Sequence, residues 1–161
     1  MKAKIFCGMM YRGESVFEQA LKMLVEKFGD IEKLGEPYAF NFTDYYEKEM
    51  GRGLKKRFAV FHNPIDGAEL AEIKLFTNML EKKLSIDGRR QVNVDPGYIT
   101  RTNLVLATTK EFPHRIYLKD GIFAEVTLLF KRDGCKFLDW AYPDFREQKT
   151  CDFFRGFAMK C

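Results

Sequence analysis

His114, Glu125 and Asp95 are the side chains in this sequence best suited to catalysis. His114 opens the run His114-Arg115-Ile116-Tyr117-Leu118, which Asp120-Gly121 separates from the apolar run Ile122 to Lys131. Asp-Gly is the favoured pair for a two-residue type I′ hairpin turn, because Gly tolerates positive φ and Asp nearly so. Such a turn sets Phe123 opposite Leu118, Glu125 opposite Ile116 and Thr127 opposite His114. His114 and Glu125 then lie diagonally on one face, about 7–8 Å apart at the backbone and within side-chain reach. Extending the register through Asp133-Gly134 sets Trp140 opposite Thr127, and Arg115, Tyr117, Ala124 and Val126 take the other face.

A carboxylate flanked by Ala124 and Val126 is costly to bury alone, so His114 is its expected partner. Two uses follow: an acid/base or metal-ligand pair at a cleft, or a hydrogen-bond cluster of His114, Glu125 and Thr127 on a partly solvated face. Asp95 is the third candidate catalytic group. In Asn93-Val94-Asp95-Pro96-Gly97-Tyr98, Pro at i+1 and Gly at i+2 predict a type II turn with Asp95 at position i. That turn accounts for Pro96 and Gly97 and leaves Asp95 and Tyr98 to face a ligand, although such an Asp more often accepts its own turn amides.

Further ligand-binding candidates sit in the polar segment Thr43 to Arg57, where Asp44, Glu49 and Arg52 stand near Gly51 and Gly53. Arg and exposed amides beside glycine bind oxyanions. The run Lys55-Lys56-Arg57 reads instead as a solvated strand edge that discourages aggregation. Lys110, closing the strand that ends Thr108-Thr109, is placed to hold a phosphate, and Arg115 is a second anion contact. No G-x-x-x-x-G-K-[ST], G-x-G-x-x-G or G-x-S-x-G motif is present, which removes the phosphate loop, the dinucleotide fingerprint and the nucleophile elbow. With only His62 and His114 a histidine-rich zinc centre is excluded, whereas Asp95 and Glu125 could hold Mg²⁺.

These residues need elements to position them. Ala3 to Met10 reads as a buried strand. A helix follows from Ser15 to Phe28, with Ser15 and Glu18 as a capping box and Gly29 as its stop. Tyr38 to Thr43 alternates as a second strand, and Phe58 to His62 is a third. Asp66 and Glu69 cap a second helix whose buried stripe is Leu70, Ile73, Thr77, Leu80 and Leu84. Leu104 to Thr109 closes a ferredoxin-like β-α-β-β-α-β unit over residues 1–110 of an α+β fold. An antiparallel β-meander follows over 111–142, built from His114–Leu118, Ile122–Lys131 and Cys135–Trp140, and a C-terminal helix and tail occupy 143–161, with Phe145 to Met159 helical.

At 161 residues, 46% hydrophobic and 15% aromatic, the chain suits a single domain with a large core and is too apolar for disorder. A net charge of +4 permits a phosphorylated ligand or nucleic acid without requiring one. Cys7, Cys135, Cys151 and Cys161 form no C-x-x-C pair and are expected to be free thiols of a reducing, cytoplasmic protein. No signal peptide is read at the N-terminus, and no run approaches the roughly 18 apolar residues of a membrane span.

The blocks Asp44 to Gly51, Glu72 to Asn78, Val92 to Tyr98, Leu104 to Lys110, His114 to Leu118 with Asp120-Gly121, and Trp140 to Asp144 carry a resemblance across nearly the whole chain. It resembles a bacterial and archaeal family of small proteins classed as a domain of unknown function, some members of which carry a generic GTP-binding label. The resemblance implies a shared ligand site and assigns no catalytic residue. Two readings follow: a protein that binds or processes a phosphorylated metabolite, nucleotide or nucleic-acid end, or a non-catalytic binding or assembly domain whose aromatics pack a partner or a second copy.

Overall fold

The computed structural model of the protein describes residues 1–158 and 160–161. Its central strand is β1 (Lys2–Tyr11), buried without interruption from Ile5 to Tyr11, as a near-continuous apolar run requires. β1 pairs with β4 (Lys55–Asp66) on one side and β5 (Val92–Ile99) on the other. β2 (Ile31–Leu34) and the two-residue β3 (Tyr38–Ala39) share the far edge of β4. Beyond β5 come β6 (Asn103–Thr108) and β8 (Ile122–Lys131), whose outer edge carries both β7 (Ile116–Lys119) and β9 (Gly134–Phe137). The result, among the described residues, is an α+β fold: one nine-stranded sheet, antiparallel at every pairing, with four helices, α1 (Glu14–Phe28), α2 (Glu47–Met50), α3 (Leu70–Lys83) and α4 (Gln148–Ala158).

The two sheet faces are covered by different helices. Alternation along β1 sends Ile5, Cys7, Met9 and Tyr11 to one face, where Phe17, Ala20 and Leu24 of α1 and Ile73 and Leu80 of α3 pack on them. The single apolar stripe of each helix dictates this. Phe6 points the other way, into Phe58, Val60, Leu104, Leu128 and the α4 residues Phe154 and Phe157. α3 begins as expected: Asp66 accepts from the Ala68 amide, and Glu69 accepts from the Asp66 amide, across a short 3₁₀ turn, Gly67–Glu69. α1 has Gly13 at its N-cap and no side-chain cap, so Ser15 and Glu18 do not form the expected box; Gly29 ends it at φ 89°.

The expected turn at Asp95-Pro96-Gly97 is strand β5. Its eight residues pair with β1 from Lys4↔Ile99 to Tyr11↔Val92, and this ladder overrides the local turn preference of Pro-Gly. Gly97 is there for contact. A Cβ on it would lie 2.3 Å from the Val105 carbonyl oxygen and 2.6 Å from the Phe6 ring. The second expected strand is only Tyr38–Ala39, and β2, which the sequence reading did not identify, lies before it. In the first hairpin the turn forms at Asp120-Gly121, with φ of 52° and 76°, and Lys119 faces Ile122. A bulge at Leu118 then shifts the register, so Phe123 faces Tyr117 and Ala124 faces Ile116. The second turn falls one residue early, with Lys131 opposite Gly134, and β9 ends at Phe137, leaving Trp140 outside the ladder. The last helix starts at Gln148 after a 3₁₀ turn, Pro143–Arg146; its expected end at Met159 lies outside the described residues.

The expectation of four free thiols is corrected. Cys135 at the start of β9 and Cys151 in α4 are joined in a disulfide, and Cys7 and Cys161 are free. The separation between the pair, 16 residues, hid them from a search for C-x-x-C spacing. Disulfides are rare in a reducing cytosol, so this bond and the expected compartment stand against each other. Among the described residues no helix is long and apolar enough to cross a membrane.

Two measurements check this account. Thiol titration of unfolded, unreduced protein should count two, and reduction should lower stability by about 3 kcal/mol, the value for closing a loop of this length; a count of four removes the disulfide. Gly97→Ala should cost at least about 2 kcal/mol, since its neighbours include backbone that cannot yield. Gly156→Ala, inside α4 with open space around it, should instead add about 0.5–1 kcal/mol. Equal effects in urea denaturation would overturn the close-contact account of Gly97.

Candidate functional site

On the sheet face that α4 covers at one end, a cavity of about 300 Å³ opens at the other. Gly8, in the middle of β1, lies opposite Phe58 on β4 and Asp95 on β5. Its missing side chain leaves room for Lys56, whose Cε would be 3.1 Å from a Cβ placed there. Lys56 therefore runs inward along the sheet, and its Nζ donates to Asp144 Oδ2 at 2.6 Å. The ammonium also lies 5.0–5.5 Å from the ring centres of Phe40, Phe58 and Phe145, where the ring faces favour a cation. Asp144 is 0% exposed. Its Oδ2 also accepts from the Tyr38 hydroxyl at 2.7 Å, and its Oδ1 has no partner in the protein. Burial and the Asp144 carboxylate together push the Tyr38 hydroxyl pKa up.

The floor thus holds Lys56, Asn93 and Asp144, all buried, with half-buried Asp95 beside them. Phe40, Phe42 and Tyr46 form apolar walls, and the exposed residues Thr43, Tyr45, Lys110 and Tyr142 form the mouth. The Lys110 ammonium stands 4.6 Å from the Tyr45 ring centre.

Asp95 is held by a network that begins in α3. β5 pairs with β6 only from Gly97↔Leu106 to Ile99↔Leu104. Past that point Pro96 has no N–H to offer, and the strands part. Lys74 reaches into the gap, donating to the Val94 carbonyl at 3.4 Å and to Asp95 Oδ1 at 3.1 Å, while Glu81 accepts from the Val94 amide at 2.9 Å. Asn93 Nδ2 donates to Asp95 Oδ2, and Asn93 Oδ1 accepts from Arg90, which also grips Glu49 at 2.7 Å. Burial raises the Asp95 pKa, but the Lys74 and Lys56 ammoniums and the amide bond outweigh it and hold the carboxyl below its usual range. Glu81 goes the other way. Burial pushes its pKa up to about 7 against the pull of Lys74 and the Val94 amide.

The expected His114–Glu125 pair forms, at 2.8 Å from Nε2 to Oε1. Glu125 is 2% exposed and accepts as well from Arg115 Nε at 3.0 Å and from the Thr127 hydroxyl at 3.0 Å. A carboxylate only accepts, so the bond to His114 requires the imidazole proton on Nε2. The imidazole is stacked on Trp140 at 5.3 Å and on Phe112 at 6.0 Å, and Trp140 Nε1 donates to the Val126 carbonyl. Arg115 was expected on the opposite face. His114 and Arg115 precede β7, outside the ladder, which frees both to turn toward Glu125.

Arg115 joins this cluster to the cavity, because its Nη1 donates to the Lys110 carbonyl at 2.8 Å and fixes the loop that presents Lys110. Asp95, Lys110, His114, Arg115 and Glu125 therefore occupy one region. Glu49 is tied to this region through Arg90 and Asn93 but does not line the cavity, Arg52 is 90% exposed and 3.6 Å from Glu47, and Asp44 is exposed between cavity residues without lining it. Tyr98 faces the α3 side against Leu70 and Val105. Asp95 and Glu125 direct their oxygens to protein donors, and among the described residues no three His, Cys, Asp or Glu side chains gather to hold a metal ion.

Sequence reasoning missed Lys56, Asp144 and Tyr142. Lys56 precedes Phe58 and Val60 at strand spacing, so the period-2 rule places it on their buried face rather than on a solvated edge. Tyr142 and Asp144 stand in the block Trp140 to Asp144, which carried the resemblance without a role.

A family model described as a domain of unknown function (DUF4416) matches residues 1–159, and the chain belongs to that family. No curated protein and no solved structure matches the chain.

The raised Glu81 pKa has a consequence for stability. A carboxyl with a higher pKa folded than unfolded binds more protons when native, so its contribution falls as pH rises from about 4.5 to about 7. Over that window it should weaken the fold by roughly 3 kcal/mol. Glu81→Gln keeps an acceptor for the Val94 amide and cannot ionise. Urea denaturation at pH 5 and pH 7.5 should show a shallower decline for the variant than for the parent; parallel pH profiles would overturn the assignment.

Proposed function

We propose that this member of the DUF4416 family binds a phosphorylated small molecule of nucleotide size in the cavity over Gly8. The observation that carries the reading is the joining of an aromatic-walled cavity of about 300 Å³ to an exposed lysine at its mouth, a volume within the usual range for small-ligand sites. Phe40, Phe42, Tyr45 and Tyr46 offer ring faces for a planar group. Lys110, held by Arg115 through its carbonyl, offers a cation for an oxyanion. His114 and Glu125 support this loop from behind; neither lines the cavity, so they act by positioning. The same reading takes the first hundred residues as a ferredoxin-like unit with Val92–Ile99, not Leu104–Thr109, as its last strand. The order β2-β4-β1-β5, with α1 and α3 packed on one face, supports it.

An assembly role has its own support. β7 is exposed at all four positions, with Ile116 68% and Tyr117 58% exposed, and an apolar edge strand is a template for pairing with another chain.

Calorimetric titration with nucleoside monophosphates, their unphosphorylated nucleosides and sugar phosphates tests the main reading. At least one phosphorylated compound should bind, and Lys110→Ala should weaken it by roughly tenfold, as expected for a charge-assisted contact, without changing the nucleoside. Binding by no member of the panel, or equal loss for both forms, would sink the proposal.

A further inference from the structure

The floor of the cavity is polar, but only part of it can be touched. The side chain of Asp144 is 0% exposed and that of Lys56 7%, and Asn93 is likewise buried. Asp95 stands apart at 29%. It lies opposite Gly8 on β1, directly opposed residues share a sheet face, and the cavity opens on that face with Asp95 in its lining. The protein fills one bond on each of its oxygens, Lys74 on Oδ1 at 3.1 Å and Asn93 Nδ2 on Oδ2 at 2.9 Å. A carboxylate can accept about four hydrogen bonds, so Asp95 keeps capacity for a donor from a ligand. It is also held still. Arg90 occupies Asn93 Oδ1 at 2.7 Å, which fixes Asn93 Nδ2 as the donor to Asp95, and Glu49 in turn holds Arg90.

We infer that Asp95 is the specificity-determining residue of this cavity, accepting a hydrogen bond from a neutral O–H or N–H at the end of the ligand opposite its phosphate. This rests on the ligand-binding reading above and adds what the ligand carries at its inner end. The charges decide the class of that group. A second phosphate there would face the Asp95 carboxylate, whose counter-ion Lys74 is already bound to it. An ammonium there would find Asp95 already neutralised and the Lys56 ammonium on the same floor. A neutral donor meets neither repulsion. It gains a charge-assisted bond to an acceptor that the protein has already oriented, so little is lost in ordering the site. The phosphate stays at the mouth, where Lys110 stands over the Tyr45 ring.

The test compares ligands first and variants second. The tightest-binding nucleoside monophosphate or sugar phosphate is set against analogues that keep the phosphate and lose one donor group each: a deoxy form for each hydroxyl, a fully methylated form for each N–H site. One analogue should bind at least about tenfold more weakly, as expected when a charged acceptor loses its donor. A deoxy form assigns that donor to the sugar, a methylated form to the base. Asp95→Asn removes the charge and keeps the shape. It should weaken the parent compound by about tenfold and the analogue by less than about threefold, while both still require Lys110. Should Asp95→Asn fail to fold, judged by circular dichroism, because Lys74 is left without its counter-ion, Lys74→Met combined with Asp95→Asn removes both charges and takes its place. If neither folds, the analogue series decides by itself. A loss below about tenfold for every analogue, or equal weakening of parent and analogue by the Asp95 variant, with binding still sensitive to Lys110→Ala, would overturn this inference alone; absence of any nucleotide or sugar-phosphate binding would overturn the parent reading with it.

Discussion

β5 parts from β6 at Gly97, and the charged network between α3 and the cavity floor follows from that divergence. On the outer edge of β5, Tyr98 pairs with Val105 of β6, Pro96 has no N–H, and Val94 faces a gap. An unpaired backbone amide and carbonyl in a buried strand cost about as much as the hydrogen bonds they forgo. α3 supplies the replacements, Lys74 for the carbonyl and Glu81 for the amide. They are seven residues apart, two turns on one helix face. Because Lys74 reaches through the gap, it also meets Asp95 on the far side, and the ionised Asp95 beside Lys56 follows from that reach. The divergence of the strands therefore lets α3 set the charge on the cavity floor.

How much of the fold was legible depended on whether the local signal agreed with the long-range pairing. α3 was legible because Asp66, Glu69 and the stripe Leu70, Ile73, Thr77, Leu80 all point to one helix. The tip of the first hairpin was legible because Asp120 and Gly121 both take positive φ. β5 was not, since Asp95-Pro96-Gly97 reads locally as a turn, and only an eight-residue ladder with β1, some ninety positions away in the chain, holds it straight. Gly97 lacks a side chain because Phe6 and the Val105 carbonyl fill that space, a reason invisible without the neighbours. The bulge at Leu118 likewise follows from no residue preference in the run Ile116 to Lys119.

The site was legible in part, and for a reason that needs correcting. His114 and Glu125 were paired from a strand register that the bulge displaces. They meet nonetheless, because His114 lies before the ladder and because a carboxylate among Ala124, Val126 and Leu106 must find donors wherever it can. The cost of burying a bare charge was the sound part of the inference, and the register was incidental. The same reasoning applied to Lys56 would have placed it. A lysine two residues before Phe58 and four before Val60, in a strand buried on that face, either snorkels or finds a counter-ion; the structure supplies Asp144 from 88 residues along the chain.

A buried ion pair such as Lys56–Asp144 is weak grounds for stability, because desolvating two charges offsets most of their attraction, and apolar residues of similar volume often serve as well. Here the cost is larger still, since Asp144 leaves one oxygen unsatisfied. The surrounding structure holds the pair in place through three rings about the ammonium, the Tyr38 hydroxyl on the carboxylate and the Thr150 hydroxyl on the Asp144 carbonyl at 2.6 Å. The disulfide acts on the same stretch. Cys151 lies one residue past Thr150, so tying α4 to β9 at that point also anchors the turn that carries Asp144. The disulfide and the Thr150 bond thus hold the fold and the cavity floor together.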